Sequence, residues 1–135
     1  MIAIGKVKIK AIFLGFLVDA VGSLVGGGVL VLVWAIMKVS QGIPLQELQN
    51  YPITSDYALL TLSIIFGFGF TLLGWYVAGR IAKESQVLHG GIVSTLSLIL
   101  GIIFSPKFTT WFNIIGFLGT VPVGMLGGYL AKQKM

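Results

Sequence analysis

Four long apolar runs fill most of the chain, at about residues 11–37, 57–79, 86–104 and 111–130. The first, from Ala11 to Met37, lies between Lys10 and Lys38 and holds a single carboxylate, Asp19. About 27 residues at about 1.5 Å per residue give roughly 40 Å of helix, more than the roughly 30 Å of a bilayer's hydrocarbon core. The pattern predicts an all-α membrane protein of four transmembrane helices, folded as one domain over 1–135.

The breaks between runs carry turn and cap chemistry. From about Lys38 to Asp56 the chain is polar. Within it Pro44 to Tyr51 predicts a short helix, begun by Pro44 and stopped by Pro52, with Leu45, Leu48 and Tyr51 on one side against the membrane surface. Ser55 or Asp56 offers an N-cap for the second span, and Ser85 one for the third after the tight link Arg80–Gln86. Ser105-Pro106-Lys107 breaks the chain, and Thr109 or Thr110 caps the fourth span. A signal-peptide reading of the first run fails, because the run is too long, lacks a small-residue cleavage pattern and contains Asp19.

Composition agrees. Hydrophobic residues make up 56% of the chain and charged residues only 10%, against about 25% charged in a soluble domain. The net charge of +5 does not signal nucleic acid, because the basic residues stand singly at span ends. With four spans both termini fall on one side. That side takes Lys6, Lys8, Lys10, Arg80, Lys83, Lys132 and Lys134, and the other takes Lys38 and Lys107. Positive-inside bias then places both termini in the cytoplasm, in a cytoplasmic (inner) membrane. Cysteine is absent, which removes disulfide and thiol chemistry.

The 19 glycines fall mostly inside the spans. With little hydrophobic force between helices in lipid, small residues at helical spacing mark close packing. Gly15, Asp19, Gly22 and Gly26 form such a stripe in the first span. Gly67 and Gly74 belong to the second, Gly90 and Gly101 to the third, and Gly116, Gly124 and Gly127 to the fourth. The stripes predict a compact, glycine-rich bundle. Tyr76, Tyr129 and Trp111 read as interface anchors facing lipid. Pro122, mid-span, predicts a kink, with Thr120 placed to re-satisfy the carbonyl of Leu118. Leu73–Ala78 and Leu126–Ala131 form a weak internal repeat.

An ionisable residue inside a span is a functional-site candidate by default. Asp19 shares the glycine face and so points into protein. Its candidate partners are Ser23, the Ser94/Ser97 face, His89 and Arg80. The helical wheel sets His89 about 100° off its stripe, the position of an interfacial side chain. Arg80 lines up with Tyr76 and snorkels to headgroups. One histidine makes no metal site, no cofactor motif occurs, and no nucleophile–base pair suggests an enzyme.

The segment Gly74-Trp75-Tyr76-Val77-Ala78-Gly79-Arg80, followed by His89-Gly90, resembles a pattern in small four-span membrane proteins of bacteria and archaea. There a Gly-x-Tyr-x-Ala-Gly-Arg segment closes span 2 and a His-Gly pair opens span 3. The resemblance implies a prokaryotic membrane setting and no particular activity, and Trp75 stands where a small residue is usual. Two readings follow. The first is a non-enzymatic membrane protein working by helix packing, as a homo-oligomer or with a membrane-protein partner. The second is a minimal proton- or cation-coupled transporter or channel using Asp19.

Overall fold

A computed structural model of the chain describes residues 8–53, 56–104 and 110–133. Within them lie four α-helices, α1 (Ile9–Ser40), α2 (Tyr57–Ala82), α3 (Gln86–Phe104) and α4 (Thr110–Gln133). Each is long and apolar enough to cross a membrane, and together they form an all-α bundle of a multi-pass membrane protein. The cap candidates Ser55 and Thr109, the Ser105-Pro106-Lys107 break, and Lys6 and Lys134 lie outside the described residues.

Successive helices run antiparallel, so Lys8, Arg80, Lys83 and Lys132 gather at one end, the basic end. Lys38 and Asp56 meet at the other, the loop end. The helix α2 packs against all three others, and α3 also touches all three, while α1 and α4 do not pack closely on each other among the described residues. In cross-section α2 and α3 therefore form the short diagonal and α1 and α4 the long one.

The helices outrun the apolar segments that predict them. On the basic side α2 and α4 continue to Ala82 and Gln133, because backbone hydrogen bonding does not stop at the edge of the hydrophobic run. At its other end α1 closes after Ser40 with a Schellman turn. Gly42, at φ 93°, donates to the Val39 carbonyl (2.9 Å) and Ile43 to the Lys38 carbonyl (3.2 Å). The predicted Pro44–Tyr51 helix is instead a turn leading into a single 3₁₀ turn, Leu48–Asn50. Between two prolines the segment is too short to nucleate an α-helix, and its bonds are i to i+3, such as Glu47 N–H to Pro44 O (2.9 Å).

Asp56 organises the loop end. It N-caps α2 by accepting from the Leu59 N–H (3.1 Å). Its second oxygen accepts from Trp34 Nε1 (2.9 Å) and lies 3.3 Å from Lys38 Nζ, both on α1. Tyr51 sets its ring edge-on to Trp34, with Lys38 Nζ 5.2 Å from its centroid. At the basic end Lys83 and Ser85 both take positive φ (61° and 49°) in the α2–α3 link, which lets a very short connection reverse the chain. Ser85 occupies the N-cap position, and its carbonyl accepts the His89 N–H (3.0 Å).

Glycines set the helix spacing on the basic side. A Cβ on Gly15 would lie 2.5 Å from the Gly74 carbonyl oxygen, and one on Gly74 would lie 2.5 Å from the Gly15 carbonyl oxygen. The α1–α2 crossing thus runs backbone against backbone. A Cβ on Gly127 would meet the Leu72 carbonyl at 2.6 Å, and one on Gly90 the Trp75 ring at 2.8 Å. A Cβ on Gly124 would fall inside the Trp75 ring. These glycines make room for Trp75, which is completely buried with Ala78 and Val93 around it. Gly22 and Gly26 do the same for the ring of Phe70. Gly67, Gly101 and Gly116 depart from the packing expectation, since nothing lies within 4 Å of a Cβ placed on any of them. The internal repeat is not carried into the packing, because Gly74 meets α1 whereas Gly127 meets α2.

Pro122 is exposed on the outside of α4, which stays continuous through it. Thr120 donates to the Gly116 carbonyl (2.5 Å), its own i−4 residue, and not to Leu118. Tyr129 faces outward as expected. Trp111 does not. Its ring stacks on Tyr57 of α2 (centroids 6.0 Å, 16°), and its indole N–H is buried.

Candidate functional site

Asp19 is only 3% exposed, about midway along the bundle. Side-chain hydroxyls from three helices converge on its carboxylate. Thr71 Oγ1 of α2 donates to Oδ1 at 3.1 Å and Ser97 Oγ of α3 donates to Oδ2. Ser23 Oγ, one turn along α1, lies 3.4 Å from Oδ1, at the long limit for a hydrogen bond. Hydrogen bonds to a carboxylate are stronger than those between neutral groups, and they offset part of what burying a charge costs. The local sequence explains the convergence. Gly15 and Gly74 bring α1 and α2 so close that a Cβ on Gly74 would sit 2.8 Å from the Asp19 Cβ. The carboxylate is thereby levered across toward α3.

Of the four residues singled out around the candidate ion site, the structure brings together Asp19 and Ser23. It adds Thr71 and selects Ser97 from the Ser94/Ser97 face. Ser94 instead donates to the Gly91 carbonyl (3.0 Å).

Arg80 and His89 lie elsewhere. Arg80 is exposed nine residues beyond Thr71, roughly 13 Å along α2 toward the basic end. His89 is fully buried and not an interfacial side chain. The start of α1 covers it, which a wheel drawn for α3 alone cannot show. Its Nε2 accepts the backbone N–H of Lys8 (2.8 Å), so its Nδ1, 3.0 Å from the Ser85 carbonyl oxygen, carries the proton. The ring is a clamp that ties the α1 start to the α2–α3 link.

A cavity of about 390 Å³ opens beside Asp19, walled by all four helices. It extends from the layer of Asp19, Thr71, Ser97 and Thr120 toward Gly101 and Asn113 near the loop end. Gly67, Gly101 and Gly116, the stripe members without packing partners, line it. The glycine stripes therefore do two jobs. Toward the basic end they close the bundle around Trp75, and at Gly67, Gly101 and Gly116 they leave it open. Trp75 lies one turn from Thr71, beyond the end of the cavity, and its buried indole N–H has no hydrogen-bond partner among the described residues. Neither the cavity nor the buried tryptophan is legible without the pairing of helices.

Among the described residues no three His, Cys, Asp or Glu side chains come together as a metal cluster. No protein-family model, curated protein or solved structure matches the chain. What the arrangement offers is one carboxylate at the end of a chamber of small, hydroxyl-bearing and phenyl side chains.

Proposed function

We propose that this is a solute-binding protein of a prokaryotic cytoplasmic membrane, with both termini in the cytoplasm, acting as a minimal proton- or cation-coupled transporter through Asp19. The observation that carries the reading is the cavity that ends on the carboxylate. A purely structural aspartate needs partners, and Asp19 has them, but it does not need an adjoining chamber walled by four helices. Hydroxyls that donate to an ionised carboxylate can rotate, so the site can exchange a proton or admit a cation without rebuilding the helices. The orientation rests on Arg80, Lys83 and Lys132 gathering with Lys8 and Lys10 at one end.

Liposome reconstitution tests this. The protein should dissipate an imposed proton or sodium gradient, and Asp19→Asn should slow dissipation about tenfold or more, while Glu84→Gln leaves it unchanged. A hydrophobic carbodiimide should modify Asp19 in the intact protein. Equal rates for wild type, Asp19→Asn and empty vesicles, with Asp19 unmodified, would refute the reading.

Helix assembly, with a second copy or a membrane-protein partner, is favoured by a different observation. Gly27, Gly28, Gly69 and Gly91 have no atom within 4 Å of an added Cβ and do not line the cavity. Crosslinking in membranes, followed by mass measurement, tests it.

A further inference from the structure

We infer that the Asp19 chamber takes an organic cation, an ammonium group carried on a compact apolar or aryl body, in preference to a bare metal ion. The inference rests on the proposed solute-binding reading and specifies its ligand. Three features of the chamber point the same way.

The first is its size. About 390 Å³ lies within the roughly 300–1,000 Å³ typical of sites for small organic molecules, and far exceeds the room a dehydrated monovalent metal ion occupies. The second is charge. Among the described residues Asp19 is the only ionisable group on the wall, so the site, with Asp19 ionised, offers one negative charge and suits one positive charge. A metal ion stripped of water needs several oxygen ligands around it. Here the hydroxyls of Ser97 and Thr71 donate to the carboxylate and would have to turn away from it to surround a metal ion.

The third is the wall itself. Phe16, Phe68, Phe112 and Phe117 line the chamber, and half of the remaining lining residues are aliphatic or glycine. Phenyl faces attract quaternary and alkylated ammonium groups, which carry their own apolar surface and shed water readily. A hydrated inorganic ion gains nothing from that wall. The ammonium would sit at the Asp19 end and the apolar body would extend toward Gly101, where the absence of a side chain leaves space.

The probe is benzyltrimethylammonium, whose charge is fixed at every pH, set against neopentylbenzene, its neutral isostere. Binding to the full-length protein in detergent micelles is measured by calorimetry and by equilibrium dialysis. Wild type should bind the cation saturably, at least about tenfold tighter than the isostere. Asp19→Asn should erase that difference.

Because Asp19→Asn also replaces one of the two oxygens that accept from Thr71, Ser97 and Ser23, Gly67→Leu provides a second arm. It keeps the carboxylate, places bulk on a wall position with free space beside it, and should weaken cation binding about tenfold while melting like wild type. Equal binding of cation and isostere by wild type would overturn the inference, as would undiminished cation binding by a well-folded Gly67→Leu protein. If the cation fails to bind while Asp19-dependent proton or sodium flux persists, the ligand class is wrong and the transporter reading stands. If both are absent, both fall.

Discussion

At the residue scale, glycine has opposite meanings at positions that look alike in sequence. Gly116 and Gly124 both sit on the α4 stripe two turns apart. A Cβ on Gly124 would enter the Trp75 ring, while one on Gly116 meets nothing within 4 Å. Gly124→Ala should therefore destabilise the bundle by about 1–3 kcal/mol through overpacking. Gly116→Ala should be neutral, or stabilising by up to about 1 kcal/mol, since alanine favours helix over glycine. Thermal unfolding in detergent distinguishes them, and a smaller side chain at 75, as in Trp75→Leu, should recover part of the Gly124→Ala loss. Equal effects at both positions would contradict the packing described. Sequence spacing identifies the stripe but not which of its members has a helix opposite, since that depends on a neighbour more than forty residues away. Asp19 itself was legible, because a carboxylate inside a span must face protein. So was its turn neighbour Ser23. Thr71 stands at helical spacing between Gly67 and Gly74 on α2, where nothing in the sequence marks it as a partner of Asp19, and Ser97 was visible only as half of a two-serine face.

At the element scale, what fixes a helix end is local and could be read, whereas what a helix end touches could not. Asp56 as a cap for α2 follows from its place before an apolar run, yet its bonds to Trp34 and Lys38 on α1 depend on the hairpin closing. Those bonds make Asp56 a pH-sensitive latch. The Leu59 N–H bond first, then the Trp34 indole bond and the Lys38 charge, hold its carboxyl below the usual carboxylate value of 3.8. A carboxyl with a depressed folded pKa stabilises the fold fully above its unfolded value and loses that contribution as pH falls through the lower folded value. Melting temperature should accordingly hold steady from neutral pH down to about 4 as far as this group is concerned, and drop below it. Asp56→Ala should cost about 1–2 kcal/mol at neutral pH and flatten the acid limb. An acid limb of unchanged steepness in that variant would assign the loss to other groups. His89 illustrates the other side of the lesson. Its position on α3 suggested an interface, and burial came from α1 docking onto it. His89→Ala should free the α1 start, detectable as faster amide exchange at Lys8 and the first turn of α1, with little change at Asp19.

At the scale of the whole molecule, the four-span bundle was legible because lipid forces each apolar run into a helix and short links leave neighbours antiparallel. The cavity was not, because an empty space belongs to no residue. It arises from an asymmetry in how the glycines are used, tightly against Trp75 on the basic side and, at Gly67, Gly101 and Gly116, without partners along the chamber. That asymmetry predicts one-sided access to Asp19. Residues at the far end of the chamber, such as Gly101, should be reachable from the loop end, while Trp75, wedged among Gly90, Gly124 and Gly127, separates the chamber from the basic end. The native chain has no cysteine, so a single reporter is unambiguous. In oriented vesicles, Gly101→Cys should react with a membrane-impermeant thiol reagent added on the loop-end side, and much more slowly with the same reagent on the basic side. Adding Trp75→Ala removes the indole but leaves its glycine cradle, and should open the second route so that the rates converge. Equal labelling from both faces with Trp75 intact would mean that the tryptophan is core and no barrier. One-sided labelling that persists in the double variant would place the barrier elsewhere among the helices packed on the basic side. Convergence on loss of the indole would make Trp75 the residue that must move if Asp19 is to exchange its ligand between the two faces of the membrane.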